Sequence, residues 1–459
     1  MKQNVVGISD IFLYVPEARI GIDELVERRV SDDPRLERHL ERACRVTGQR
    51  AIRFPAPSED TPSMAATAAY GLIRNSAGFE PKSLRYLVVG TESGVDHSKP
   101  ISAYVQGMLT DAGVPIPRSL SSFQVQHACA AGTLGMLNVA ALLSAAGRDD
   151  ETGIVVTSDV ARYRTHSTAE VTQGAGAVAL LLSSDPDLLE LDLTTLGYCS
   201  RNEDDFFRPL GSTTAMVKGS YSMKVYKESM EEAFLDHCRR EGKGPSEVLR
   251  AADIIALHTP FRNLAEIVMV DLLGKYLGLD DDEAAAFLAE RGFYHGVDAV
   301  AEIGNIYTGS LFLTTAFTLG GLYREIGEQI EGKSVLFASY GSGSTMTVMS
   351  GRVAENASDV IARWDLDAVM RSAREADWPE YEAWTENEKD VASDADNLER
   401  RGNVPTFMLA AIREDGYRTY AYTDSAAEPN PAETLLTSAY SEREQGSRRL
   451  VEQYVEYAR

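Results

Sequence analysis

The chain has 459 residues, 44% of them hydrophobic and 25% charged, with a formal net charge of −24. That length implies two or three domains or one large duplicated one, and the composition is that of a soluble globular protein. The acidic balance argues against nucleic acid as a partner, and no run approaches the ~20 uninterrupted apolar residues of a membrane span.

Cys44, Cys129, Cys199 and Cys238 form neither a disulfide framework nor a metal-ligand spacing, so no metal is expected. The first residues lack the basic-then-apolar layout of a signal peptide, which makes the cytoplasm the expected compartment.

Taken in order, Val5 to Val15 reads as a strand ended by Pro16, and Leu25 to Arg53 as a charged helical stretch. Pro62 to Asn75 reads as an amphipathic helix with Thr61 as its N-cap. Tyr86–Gly90, Gly153–Asp159 and Gly176–Ser183 are short buried strands. A second half repeats the rhythm. Leu189–Gly197 alternates, Tyr226–Arg240 is helical, Ala252–His258 is a strand, an apolar helix starts at Ser310, and Ser334–Tyr340 runs into Gly341-Ser-Gly343. Strand, helix, strand in this order implies an α/β protein whose chemistry sits at strand ends. Beyond Gly351 the chain turns acidic and helical, then shows a hairpin pattern around Glu414-Asp-Gly416, with no chemistry of its own. The expected division is 1–187, 188–351 and an extension over 352–459.

The chain centres on Phe123-Gln-Val-Gln-His-Ala-Cys129-Ala-Ala-Gly-Thr133, where an extended stretch meets a helix that is small and apolar on every face. Such a helix belongs inside a protein. Cys129 then falls at a helix N-terminus, where the dipole favours an anion and lowers a thiol pKa toward neutrality. A lone cysteine here is more often a buried structural residue. The decision rests on the rest of the chain.

Glu92, His258 and Asn305 also fall at strand ends or turns, and each alone has an ordinary structural reading. Their surroundings form a series of motifs: Thr91-Glu-Ser-Gly-Val-Asp-His-Ser-Lys-Pro100, His127-Ala-Cys-Ala-Ala-Gly-Thr133, Thr157-Ser-Asp-Val-Ala-Arg-Tyr163 and Thr172-Gln-Gly-Ala-Gly-Ala-Val-Ala-Leu180. Asp205-Phe-Phe-Arg-Pro209, Leu257-His-Thr-Pro-Phe261, Gly304-Asn-Ile-Tyr-Thr-Gly-Ser-Leu311 and Ser339-Tyr-Gly-Ser-Gly343 follow. In order and spacing, from about Val5 to Tyr422, the chain resembles the hydroxymethylglutaryl-CoA synthases of the thiolase superfamily.

The resemblance implies a duplicated thiolase-like fold of five layers, α-β-α-β-α, with a C-terminal extension. It implies a homodimer, no cofactor, and acetyl-CoA and acetoacetyl-CoA as substrates. Cys129 would carry the acetyl group. Glu92 would act after acyl capture, taking a methyl proton and returning a proton to the acceptor's alkoxide. His258 and Asn305 would polarise the acceptor's ketone, and backbone N–H groups at Cys129 and around Ser342 would hold the thioester oxygen. Tyr163 and Thr172 belong to matching substrate-binding motifs.

The chain also departs from the family. Where relatives carry lysines after the histidine motif, it has Arg262-Asn-Leu-Ala-Glu-Ile267, leaving Arg262 as the expected phosphate contact, or else Lys218 and Lys224 from the Val217-Lys-Gly-Ser-Tyr-Ser222 motif. The alternative function is a β-branching synthase whose acceptor rides on an acyl carrier protein. Glu92 argues against a decarboxylating ketoacyl synthase, and the intact Glu92, Cys129 and His258 against a non-catalytic binding paralogue.

Overall fold

Alternation along the central strands decides the architecture. In Leu84–Gly90, Thr152–Ala161 and Gly174–Ser184, residues such as Val88, Val155 and Leu180 pack to one side. Their neighbours Leu87, Val89, Val156 and Ala179 pack to the other. With a side-chain period of two, both faces of these strands are buried, as a mixed sheet covered by helices on both sides requires. Ile254–Leu257, Ser334–Gly341 and Thr345–Val353 do the same: Ile254, Val335 and Phe337 join the first cluster while Ile255, Leu336 and Ala338 join a third. The shared cluster holds the helices Ala131–Ala146 and Ser310–Ile326. Helices Thr61–Asn75 and Ile101–Asp111 cover one outer face, and Gly219–Glu241 and Arg262–Leu277 the other. The layers are therefore helix, sheet, helix, sheet, helix, as expected.

The computed structural model describes residues 5–386 and 406–423. The strands of both halves join in one ten-stranded sheet, bridged by Leu189–Leu191, which pairs with Val6–Tyr14 and with Thr345–Val353. Ser121–Val125 closes one end of that sheet as an edge strand.

Several local expectations change. Leu25 to Arg53 is two helices, Ile22–Asp32 and Glu37–Thr47, plus a strand Ala51–Arg53, because Pro34 and a left-handed Gly48 interrupt it. The helix Thr61–Asn75 is capped by Asp60, not Thr61, and is buried from Thr61 through Leu72 on all sides. The nucleophile helix is not buried all round: Leu142 is 42% exposed. The 19-residue stretch Ala128–Ala146 is by length and mean hydropathy apolar enough to cross a membrane, but just over half of it is buried inside the protein. It passes that test as a core helix.

The 352–459 stretch holds helices Ala357–Ile361, Leu366–Arg371 and Trp378–Glu386. The hairpin pattern is realised as Thr406–Ile412 paired with Arg418–Thr423. The Ala/Pro/Glu-rich stretch from 424 onward lies outside the described residues.

Candidate active site

Two close backbone approaches build the site. The strand Leu84–Gly90 ends against the start of the nucleophile helix, where a Cβ on Gly90 would fall 2.5 Å from the Gly132 nitrogen. From the second half, Gly341 ends its strand so near the cysteine turn that a Cβ there would meet the His127 oxygen at 2.6 Å. Ala128 takes a left-handed backbone (φ 39°), an unfavourable state for a residue with a Cβ, and turns the chain into the helix that begins at Ala131. Cys129 is thereby held at the junction of both halves, 8% exposed.

The thiol faces Glu92. Cys129 Sγ donates to Glu92 Oε2 at 3.5 Å, and Glu92 sits on the loop just past Gly90. That loop is fixed by Asp159, buried at the end of the neighbouring strand. Asp159 Oδ1 accepts from Thr91 Oγ1 (2.9 Å), the Glu92 and Ser93 backbone nitrogens (3.0 Å each) and Ser93 Oγ (2.6 Å). Its Oδ2 accepts from the Thr308 N–H at 3.1 Å and from the Thr308 hydroxyl. One carboxylate thus ties the Glu92 loop to the second half.

Charge at the thiol runs against the sequence expectation. Burial, reinforced by the Glu92 and Asp159 carboxylates, pushes the Cys129 pKa well above that of an ordinary thiol. The helix N-terminus does not offset this. Glu92 is itself pushed up to about 8 by burial, with Arg208 pulling down and Asp159 adding to the rise. Arg208 Nη2 lies 3.3 Å from Glu92 Oε1 and also donates to the Glu92 carbonyl. At rest, a proton therefore sits on the sulfur and is already hydrogen-bonded to its acceptor.

Opposite this pair the second half supplies neutral groups. His258 is fully buried, and burial lowers its pKa to about 3, so its imidazole is uncharged at any physiological pH. Asn305 Oδ1 accepts from the Tyr307 N–H at 2.8 Å and the Ser310 hydroxyl at 3.1 Å, which turns its NH₂ toward the cavity. Both residues line a cavity of about 730 Å³ with Cys129, Tyr163, Thr172 and Ser342.

The expected phosphate contact is placed differently. Arg262 is not among the cavity's lining residues, and its guanidinium is committed to Asp298 at 2.7 Å and Glu266 at 3.0 Å. Two carboxylates and Asn263 already occupy its donors. Lys218 stacks on Tyr221 and Lys224 pairs with Glu228 at 3.7 Å, and neither lines the cavity. Its charged lining comes from Arg42 and Arg164, and His39 also lines it.

Sequence reasoning passed over these three, and over Arg208, Asp159 and Asp205 inside quoted motifs. Asp205 accepts from the Gly343 N–H at 3.0 Å and the Tyr340 hydroxyl at 2.7 Å, fixing the turn that carries Ser342. For Asp159 the available signal was a carboxylate near the end of a buried strand, where a charge needs a partner.

Two helices enclosed by two sheet halves, with reactive groups gathered where both halves end, define an acyltransferase of the thiolase type. Comparison with known proteins narrows the class. Residues 2–187 match the family described as hydroxymethylglutaryl-coenzyme A synthase N terminal, and residues 285–422 match its C-terminal counterpart. The hydroxymethylglutaryl-CoA synthase of Haloferax volcanii is 30% identical over 414 residues, covering 82% of this chain and 90% of that protein. The solved structure of MvaS in complex with 3-hydroxy-3-methylglutaryl coenzyme A superposes with a TM-score of 0.80 at 31% identity, over 92% of this chain and 100% of that one. A polyketide biosynthesis 3-hydroxy-3-methylglutaryl-ACP synthase of Bacillus subtilis is 25% identical over 356 residues, covering 75% and 79% of the two chains. This chain belongs to the hydroxymethylglutaryl-CoA synthase family and is an enzyme of that family.

Proposed function

We propose that the enzyme condenses acetyl-CoA with acetoacetyl-CoA, through an acetyl group on Cys129, to give 3-hydroxy-3-methylglutaryl-CoA for isoprenoid synthesis. The observation that carries this reading is the thiol–carboxylate contact of Cys129 with Glu92 at 3.5 Å beside a cavity shared with His258 and Asn305.

Glu92 takes the thiol proton as sulfur attacks the thioester carbonyl, and that proton leaves on the departing CoA thiolate. The Glu92 carboxylate then removes a proton from the acetyl methyl group. The carbanion adds to the ketone carbon of acetoacetyl-CoA, held by the Asn305 NH₂ and the neutral His258. Protonated Glu92 returns its proton to the resulting alkoxide. Water cleaves the Cys129 thioester, releasing the new carboxylate and restoring the thiol. The reaction calls for no cofactor beyond the CoA thioesters themselves.

We also infer a homodimer. Among the described residues Ser121–Val125 pairs along one side only, and such sheet edges are normally covered.

The test is intact-mass analysis after mixing with acetyl-CoA, followed by side-by-side turnover of acetoacetyl-CoA and an acetoacetyl carrier protein. Acetylation that maps to Cys129, is absent from Cys129→Ser, and is discharged by acetoacetyl-CoA is expected. No acetylation, or acetylation at another cysteine, refutes the covalent route. Turnover of the carrier-bound acceptor alone refutes the choice of acetoacetyl-CoA.

A further inference from the structure

The helix Trp378–Glu386 lies in the C-terminal stretch, where the sequence offered no chemistry, yet it is bound to the wall of the cavity. That wall is the segment from Tyr163 to Thr172, which contributes Tyr163, Arg164, Ser167, Thr168, Ala169 and Thr172 to the lining. Tyr381 projects from the helix, fully buried, among Phe54, Trp378 and Trp384 with ring centroids 5.5–5.7 Å away. An aromatic cluster of this kind is satisfied by a phenylalanine. The Tyr381 hydroxyl leaves the cluster instead and meets the wall twice.

It accepts from Gln173 Nε2 at 2.9 Å and donates to Glu170 Oε1 at 3.2 Å. Gln173 Oε1 in turn accepts the Tyr163 N–H at 2.7 Å, so a single amide links the Tyr381 hydroxyl to the backbone of a cavity residue. Glu170 accepts the His166 N–H at 2.7 Å and forms a buried ion pair with Arg29 at 2.8 Å. Trp384 stacks on Arg162, next to Tyr163, at 5.0 Å. Both ends of the wall are thus referred to one helix.

We propose that Tyr381 is a positioning residue that, through Gln173 and Glu170, sets the substrate-binding wall from Tyr163 to Thr172. This rests on the function proposed above, in which that wall binds the acyl-CoA. Loss of the hydroxyl leaves the buried Gln173 amide without its acceptor, and a buried donor regains a partner only by moving. Movement of Gln173 carries the Tyr163 backbone with it. Glu92 and Cys129, held by other elements, stay in register.

Tyr381→Phe keeps the ring packing and removes only the hydroxyl. The expected result is a rise of about tenfold in the acetyl-CoA KM, with kcat within about twofold of the parent. Gln173→Met, which severs the same link at its other end, should reproduce the KM rise. Phe54→Leu perturbs the aromatic cluster without touching the hydroxyl and should lower Tm with KM unchanged. A Tyr381→Phe enzyme whose KM equals the parent's, whatever its Tm, overturns the proposal. A parent enzyme that forms no acetyl-Cys129 overturns the functional reading instead, and the two failures are told apart by that control.

Discussion

Replacing Arg208 by Gln removes the only cation placed against the Glu92 carboxylate among the described residues, while keeping a donor for its carbonyl. Burial drives the Glu92 pKa up to about 8, and Arg208 is the largest influence in the opposite direction. An opposite charge at this range lowers a carboxyl pKa by about 1–3 units. Its loss therefore raises Glu92 from about 8 by a similar amount.

The sign follows from the role. Glu92 works as a base, so activity requires the carboxylate, which forms as pH rises through its pKa. With a pKa of about 8, roughly a tenth of the parent enzyme carries the carboxylate at pH 7, and one to three further units cut that fraction about 10- to 10³-fold. Arg208→Gln should lose that factor in kcat/KM at pH 7 and recover much of it toward pH 10. The assay is kcat/KM for acetyl-CoA from pH 6 to 10 in both enzymes. An acidic limb at the same pH in both would refute the charge argument. A uniform loss across the range would make Arg208 a structural or substrate-binding group.

Two further substitutions test the site. Glu92→Ala should slow acetylation of Cys129 as well as condensation, by at least about 10², because the thiol donates to that carboxylate; acetylation at the parent rate would restore the sequence-based view that Glu92 acts only after acyl capture. Arg42→Ala and Arg164→Ala should each raise the acetyl-CoA KM by about tenfold, whereas Arg262→Ala, already paired with Asp298 and Glu266, should change it little; the reverse order in a Michaelis analysis would return the phosphate contact to Arg262.

Much of the fold is legible because its strands are short apolar runs bounded by glycine and proline. Tyr86–Gly90 and Ser334–Tyr340 needed no tertiary knowledge. The helix Thr61–Asn75 shows where that reading ends. Thr61 has the right chemistry for a cap, but Asp60 accepts the Ser63 N–H at 2.9 Å while its other oxygen accepts from Arg418 and Tyr420. The reciprocal Asp60–Ser63 box is local, whereas the contacts from a hairpin more than 300 residues away are invisible in the sequence. Arg262 fails for the same reason, since Asp298 reaches it from a different helix. Glu92 and Cys129 could be singled out one by one. Their hydrogen bond, and the Asp159 clamp that maintains it, exist only once Gly90 has packed on Gly132.

That packing also explains why the helix N-terminus does not supply a ready thiolate. The dipole of one helix is worth at most ~2 kcal/mol in a partly buried setting and acts over a single turn. Around Cys129 it competes with burial and with Glu92, Asp159 and Asp205, all of which oppose negative charge on sulfur. A permanent thiolate would stand 3.5 Å from the carboxylate that must later remove the methyl proton. Two anions at that distance would raise each other's pKa. Keeping the thiol protonated avoids the conflict: no thiolate charge then opposes ionisation of Glu92. Once the acetyl group caps the sulfur, no thiolate can form there and the Glu92 carboxylate faces a neutral thioester. Acyl capture is the event that clears Glu92 for the condensation step.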